Sequence, residues 1–326
     1  MNRGAGGGAS AAGPKVRTAA RGERAGRYLA TVIGSRSPLG PLRSLLIALL
    51  IGLPSAAALA EPPSTPTAEP AAALPRVVSL NPSLTAILLA LDAGPSLVGV
   101  DDWSARDIPE VSSLPRVGGL FNPSLEGILA LEPDLVVWVP SAQQRNLRER
   151  LEALGVEVLV LENIRLAQVL GSIQELGDRV GREAEARERV RAIRRAWTRT
   201  ERAAGRRPHP RTVLVLQRDP LYVVGRGSFL DAMLRAAGAE NVAAKFDEAY
   251  PRVGVEWLIS AGPELIIDAA AQPELARAHW SRWPSLPAVV EGRIVTVPAE
   301  QVTLPGPHLD RAVTLLGRIV GDPEAR

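Results

Sequence analysis

Short apolar runs alternate with amphipathic stretches along most of this chain, and the alternation starts near residue 76. Arg76–Leu80 (RVVSL), Leu135–Trp138 (LVVW) and Val156–Leu161 (VEVLVL) are continuous apolar segments, as are Arg211–Leu216 (RTVLVL), Leu265–Ile267 (LII) and Arg293–Val297 (RIVTV). Runs of this length with no polar alternation predict strands covered on both faces, as in a parallel sheet. Helix-period segments follow the first strand of each set, Ser83–Leu91 (SLTAILLAL) and Ser228–Ala237 (SFLDAMLRAA). Strands alternating with helices predict parallel sheets whose loops gather at the strands' carboxyl ends.

The pattern then repeats itself. Glu126–Val137 reads EGILALEPDLVV and Glu256–Ile267 reads EWLISAGPELII. Each has a Glu, an apolar helical turn, a Pro seven residues on, an acid, and a Leu before two β-branched residues. Pro133 and Pro263 predict a helix end immediately before a buried strand. The chain therefore divides into two similar Rossmann-like α/β lobes, 76–164 and 210–326. Between them, in 165–205, Leu166, Val169, Leu170, Ile173, Leu176 and Val180 recur at three and four, and Val190, Ile193 and Trp197 continue the stripe. That spacing predicts one long amphipathic connecting helix, with Gly177 or Gly181 as the point of any break. Such a helix of some 35 residues would reach about 50 Å, and a rigid link of that kind predicts little closure of the lobes around a ligand.

Before residue 76 the pattern differs. Leu42–Ala60 (LRSLLIALLIGLPSAAALA) has a base, an apolar run Leu45–Leu53, the breaker Pro54 and the small-x-small Ala58-Leu59-Ala60. This layout predicts a secretory signal over 1–60, followed by a Pro/Ala/Thr tether over 61–75. The apolar run is shorter than the roughly 20 residues a spanning helix needs. The signal changes the reading of charge. The 326-residue chain carries a formal net charge of +3, but residues 1–60 hold eight bases and one acid, which leaves 30 bases and 34 acids beyond them. The hint of a nucleic-acid partner disappears with that segment. The absence of Cys excludes disulfides, thiolate metal sites and a lipid-anchored lipoprotein, so the mature chain is expected free in the periplasm.

Enzyme signatures are missing: no G-x-x-x-x-G-K-[ST], G-x-S-x-G or H-E-x-x-H occurs, and Gly225-Arg226-Gly227 lacks the third glycine of a dinucleotide fingerprint. His209, His279 and His308 are dispersed, so no metal site is expected. The aromatics say more. Only twelve are present, and Trp103, Phe121, Trp138, Tyr222 and Tyr250 fall where strands end or helices begin. Rings on lobe-facing loops suit a cleft for a large, flat, partly apolar ligand.

At this point the mature chain resembles the periplasmic substrate-binding proteins of ABC importers for vitamin B12, haem and ferric siderophores, the class III fold with two lobes joined by one long helix. The carriers are RVVSLNPSLTAILLAL, LPRVGGLFNPSLEGILALEPDLVVW, PLYVVGRGSFLDAMLRAAGAENVA, YPRVGVEWL and PGPHLDRAV. Within the class it is most similar to the cobalamin-binding branch. That resemblance implies a corrinoid held between Phe121, Trp138 and Tyr250, with Trp103 and Tyr222 beside them and an acidic contact at Glu300. It also implies no resident cofactor, no catalysis, a monomeric carrier, and delivery to an ABC permease dimer with its ATPase subunits. In the family one acid on each lobe pairs with Arg on the permease, and Glu126 and Glu256 fall at those positions. Without the family, both are simply first-turn acids at helix starts, each stabilising by about 0.3–1 kcal/mol. A haem or ferric-siderophore carrier is the alternative within the class. Arg226 and Arg252 would favour a siderophore, and the absence of His from Asn81-Pro82-Ser83 counts against haem. A secreted two-lobe enzyme is the alternative outside it, and would need converging Asp and His or a metal.

Overall fold

The computed structural model describes residues 74–140, 145–205 and 207–322; the expected signal and nearly all of the tether lie outside the described residues. In the N-terminal lobe the order is β1 (Val77–Ser79), α1 (Pro82–Ala90), β2 (Leu97–Val100), α2 (Asp102–Asp107), β3 (Gly118–Gly119), β4 (Asn122–Pro123), α3 (Leu125–Leu129), β5 (Leu135–Trp138), α4 (Arg145–Ala153) and β6 (Glu157–Val160). β2-β1-β5-β6 form a fully parallel sheet, with Val77 level with both Leu97 and Leu135. The β3–β4 hairpin stands apart as a two-stranded ribbon.

α5 (Leu166–Arg179) and α6 (Glu183–Ala204) follow. The expected single connecting helix is thus two helices, of 14 and 22 residues. The break falls at Gly181, whose φ of +65° is a left-handed value that glycine adopts without a Cβ clash. Gly177 has another use. A Cβ there would collide with Ala186 and come within 2.9 Å of the Arg182 carbonyl oxygen, so its bare backbone lets the start of α6 cross close to α5. The apolar stripe survives the break: Val169, Leu170, Ile173 and Leu176 of α5 and Val190, Ile193 and Ala196 of α6 are buried on one continuous core.

The C-terminal lobe comprises β7 (Arg211–Arg218), β8 (Leu221–Val223), α7 (Phe229–Ala236), β9 (Glu240–Asn241), α8 (Val255–Ala261), β10 (Leu265–Asp268), α9 (Ala276–Trp280), α10 (Pro287–Val290), β11 (Ile294–Thr296), α11 (Ala299–Val302) and α12 (Leu309–Gly321). Its sheet runs β11-β10-β7-β8, with β9 on β7. The pairing is parallel except at one edge, where β8 returns antiparallel along β7, Arg218 opposite Leu221. The parallel sheet expected of this lobe carries one added antiparallel strand at that edge. Asp219-Pro220 turns the chain back directly, so no crossover helix intervenes.

The internal repeat is visible in individual hydrogen bonds. Arg76 donates from Nη2 to the Leu131 carbonyl (2.7 Å) and from Nε to that of Glu132 (3.0 Å), capping the end of α3, while its backbone N–H bonds the Asp134 carboxylate at 2.7 Å. In the other lobe Arg211 Nη2 donates to the Ala261 carbonyl at the end of α8 (2.6 Å), and its N–H bonds the Glu264 carboxylate at 3.0 Å. Glu132 and Gly262, each just before the Pro, both have positive φ. Two Pro-terminated helices are thus tied to their sheets by the same clamp.

Each sheet has one private apolar face. Val78, Val136 and Trp138 pack with Ile128 and Leu151, and Val213, Val215 and Ile266 pack with Leu258, Trp280 and Leu286. The opposite faces share one core that runs from Val77, Leu88 and Val137 through Ile173 and Ile193 to Leu214, Phe229, Ile267 and Leu316. The lobes are joined by packing as much as by covalent connection.

Candidate functional site

Two contacts join the lobes near the loops after their strands, and a third ties the N-terminal lobe to α5. The Phe229 N–H at the start of α7 donates to the Ile164 carbonyl beyond β6 at 2.7 Å. The Asn163 amide donates to Ser83 Oγ (3.0 Å) and accepts from Ser172 Oγ (2.7 Å), tying the loop after β1 to α5. Gly306 lies against Ser83 and Ile87, where a Cβ would stand 3.6 Å from the Ser83 carbonyl oxygen. Beside this joint lies a cavity of about 410 Å³, lined by Ala86, Leu89, Ala90 and Ile108 from one lobe and Leu304 and His308 from the other.

On the N-terminal edge, the sheet's loops present two rings. Asp101 caps α2, its Oδ1 accepting from the N–H groups of Trp103 (2.9 Å) and Ser104 (3.1 Å). The cap fixes the turn that carries Trp103, which is 44% exposed, with the Arg106 guanidinium 3.9 Å from its ring centroid. Behind it, Asp101 is fully buried in a chain of hydroxyls: Ser104 Oγ donates to its Oδ2, Thr85 Oγ1 lies 2.9 Å from Ser104 Oγ, and Thr85 donates to Ser79 Oγ at 2.8 Å. Burial without a cationic partner pushes the Asp101 carboxyl above its ordinary range. The β3–β4 hairpin lies against the same corner. Gly119 pairs with Asn122, so Leu120-Phe121 form the two-residue tip, and Phe121 is 69% exposed there. Gly118 holds φ +100°, and a Cβ on it would approach the Asn122 carbonyl oxygen to 2.8 Å.

On the C-terminal edge a strap over 246–253 runs beside β8. Gly225 N–H bonds the Ala249 carbonyl at 2.9 Å, Arg226 N–H that of Phe246 at 3.1 Å, and Val253 N–H that of Leu221 at 3.0 Å. Tyr222 bridges to Arg252 across this seam, two residues from Tyr250. Gly225 makes the seam possible, because a Cβ there would run into the Glu248 carbonyl oxygen. Tyr250 is 36% exposed, and burial of its phenol pushes the pKa up to about 12. Arg226 is paired with Asp247, whereas Arg252 has no ion pair among the described residues. Glu300 is exposed in the first turn of α11, just beyond the carboxyl end of β11.

Trp138 does not join this set. It is 4% exposed and packs with Val78, Leu80, Leu125 and Leu151. Strand alternation explains the difference, because Trp138 shares the face of Val136 that lies under α3 and α4, not the edge that meets the other lobe. Its position at the end of an apolar run does not reveal which face it takes. The sequence reading also passed over Asp101 and Asn163, both buried. An Asp two residues before a ring at a helix start is a capping signal, whereas nothing local marks Asn163.

Glu126 and Glu256 occupy matching places. Each is exposed in the first turn of a short helix, α3 or α8, that leads into β5 or β10. Ser124 caps α3 by accepting from the Gly127 N–H at 3.0 Å, while Gly254 precedes α8 and lies under the Glu256 carboxylate. Neither Glu forms an ion pair among the described residues. The three His sit apart: His209 on the Gly238 carbonyl, His279 against Trp280 and Trp283, and His308 at the start of α12.

Comparison with known proteins follows from this geometry. A family model described as periplasmic binding protein matches residues 77–301. The vitamin B12-binding protein of Salmonella typhimurium is 27% identical over 220 residues, covering 67% of this chain and 81% of that one. That of Vibrio parahaemolyticus is 25% identical over 240 residues, covering 73% and 86%. Among solved structures, the periplasmic heme-binding protein of Roseiflexus sp. RS-1 in apo form superposes with a TM-score of 0.67 at 25% identity, covering 77% of this chain and 99% of that one. The periplasmic vitamin B12 binding protein of Vibrio cholerae gives 0.68 at 22% identity, covering 78% and 99%, and shares the fold.

Proposed function

The chain belongs to the periplasmic binding protein family, and from that premise we propose that it captures cobalamin between its lobes and delivers it to an ABC permease. It is a solute-binding protein of the vitamin B12, haem and iron-chelate importer type, not an enzyme. What supports the corrinoid reading is the set of four rings, Trp103 and Phe121 near α2 and the β3–β4 tip of the N-terminal lobe, Tyr222 and Tyr250 on and beside β8 of the C-terminal lobe. Flat apolar faces above and below a ligand suit a corrin ring, with Glu300 as an acceptor for its amide side chains. The recurrent name among the relatives, vitamin B12-binding protein, points the same way. Residues 1–60 serve as the export signal and 61–75 as a tether in this reading.

Haem is the second reading, favoured by heme-binding proteins among the solved structures at 25–28% identity. Against it, no His lies in the loop Asn81-Pro82-Ser83. Glu126 and Glu256 are proposed to meet Arg side chains on the two permease subunits, where exposed pairs of about 0–1 kcal/mol each guide orientation more than affinity.

Calorimetry of the exported chain with cyanocobalamin, haemin and a ferric siderophore separates these readings. Cobalamin is expected to bind at micromolar affinity or tighter, and absence of such binding sinks the corrinoid reading while leaving the family intact. Phe121→Ala and Tyr250→Ala should each weaken cobalamin by about 5- to 50-fold, the worth of one stacked ring. Joint Glu126→Arg and Glu256→Arg should abolish uptake in cells with ligand affinity unchanged.

A further inference from the structure

We propose that the groove between α6 and α12 is a binding site for a tetrahedral oxyanion of the phosphate class, held by Arg199, Arg207 and Arg318. These three side chains line one cavity of about 240 Å³, together with Thr200, Thr314 and Gly317. Several arginines of this chain pair with carboxylates, among them Arg148–Glu152, Arg189–Asp310, Arg211–Glu240 and Arg218–Asp268. None of the three in the groove has a hydrogen-bond or ion-pair partner for its side chain among the described residues, and no acid lines the cavity. Three like charges gathered in one groove repel unless a counter-charge sits among them. The two threonines do not supply the donors, because Thr200 Oγ1 donates to the Ala196 carbonyl and Thr314 Oγ1 to that of Asp310. The free donors are guanidinium N–H groups, whose planar forks match phosphate oxygens two at a time.

Two glycines border the groove, Gly317 inside α12 and Gly321 at its last residue, four apart and so on one face. A Cβ on Gly317 would stand 2.6 Å from Thr200 Cγ2, so the bare residue sets how closely α12 approaches α6. A Cβ on Gly321 would occupy the place of the Arg207 guanidinium. The bare Gly321 backbone leaves room for the Arg207 side chain to lie against the end of α12. The site shares no residue with the interlobe cleft and is independent of what the cleft binds.

The test titrates the exported chain with inorganic phosphate at constant ionic strength against a chloride control, by calorimetry and by the shift in melting temperature. Phosphate should bind saturably, about tenfold more weakly in Arg318→Gln and in Arg207→Gln, the loss of one charge-assisted contact. Gly321→Ala, which removes no charge, should weaken it as well by displacing Arg207, while cobalamin affinity stays unchanged in all three. A parallel arm replaces phosphate with phosphatidylglycerol vesicles, controlled by phosphatidylcholine. Binding in the first arm alone identifies a free oxyanion, and vesicle binding lost with the same substitutions identifies a lipid headgroup. The proposal falls if phosphate matches chloride and the vesicles do not bind, or if the responses are equal in wild type and variants.

Discussion

At the centre of each sheet the two lobes solve one problem in one way, and at the edges they part. Arg76 and Arg211 each cap a short helix that a Pro has ended, and each hands its own N–H to the acid that follows, Asp134 or Glu264. The edges share no such plan. The N-terminal lobe offers Phe121 on a two-residue hairpin tip and Trp103 on a capped helix start, while the C-terminal lobe lays a strap along an antiparallel strand to hold Tyr222 and Tyr250. Buried acids differ too. Asp101 is held by hydroxyls and backbone N–H groups, whereas Asp268, equally buried, is paired with Arg218 and bonded by the Trp280 indole. The comparison teaches that the repeated part of the molecule is its scaffold and the unrepeated part carries the rings proposed above for binding.

Substitutions can break or sharpen this division. The largest expected effect is at Trp138, placed here with the scaffold. Trp138→Ala should lower unfolding free energy by about 3–5 kcal/mol, and Trp103→Ala, on the edge, by about 0.5 kcal/mol or less. Urea denaturation measures both, and similar costs would erase the distinction. Next is the seam, where Gly225→Ala should cost about 2–4 kcal/mol through overpacking against the Glu248 carbonyl and weaken cobalamin as Tyr250 shifts. A stable variant with wild-type affinity would contradict the role given to the strap.

The clamp is expected to be symmetric and modest. Arg76→Met and Arg211→Met should each cost about 0.5–1.5 kcal/mol, the worth of exposed hydrogen bonds to helix-end carbonyls, and a difference above that range between the lobes would break the equivalence. The smallest effect concerns pH. Burial raises the Asp101 pKa in the folded state, so the native protein holds this proton more tightly than the unfolded chain. Its contribution is complete below the unfolded carboxylate value of about 3.9 and is lost as pH rises through the higher native value. Asp101→Asn keeps an acceptor for the Trp103 and Ser104 N–H groups, and should reduce the pH slope of stability by up to one proton, measured by denaturation as pH is raised from about 4.

What the sequence reveals follows the same division. The scaffold is legible because apolar runs, Pro-ended helices and the EGILALEPDLVV and EWLISAGPELII repeat are local signals, each confined to a dozen residues. Phe121 and Tyr250 lie between regular elements, on the hairpin tip and the strap, whereas Trp103 sits in the first turn of α2 and Tyr222 inside β8. Trp138 misleads because its face is set by partners on α3 and α4 that are distant in sequence. The edge strand β8 is hidden for the same reason: YVV reads as a strand, but its direction depends on which neighbour it pairs with. Gly181 as the break between α5 and α6 is half-visible, since two glycines fit the pattern and only the packing of Ala186 on Gly177 assigns them different roles.

The shared core beneath the joint has a consequence for traffic. Because Val77, Ile173, Leu214 and Phe229 belong to one packed body, filling the cleft need not swing one half toward the other. An empty molecule and a laden one then present nearly the same outline to whatever receives them. In the role proposed above, the receiver would sense cargo through the mouth of the cleft, and vacant carriers would compete with full ones for the same berth.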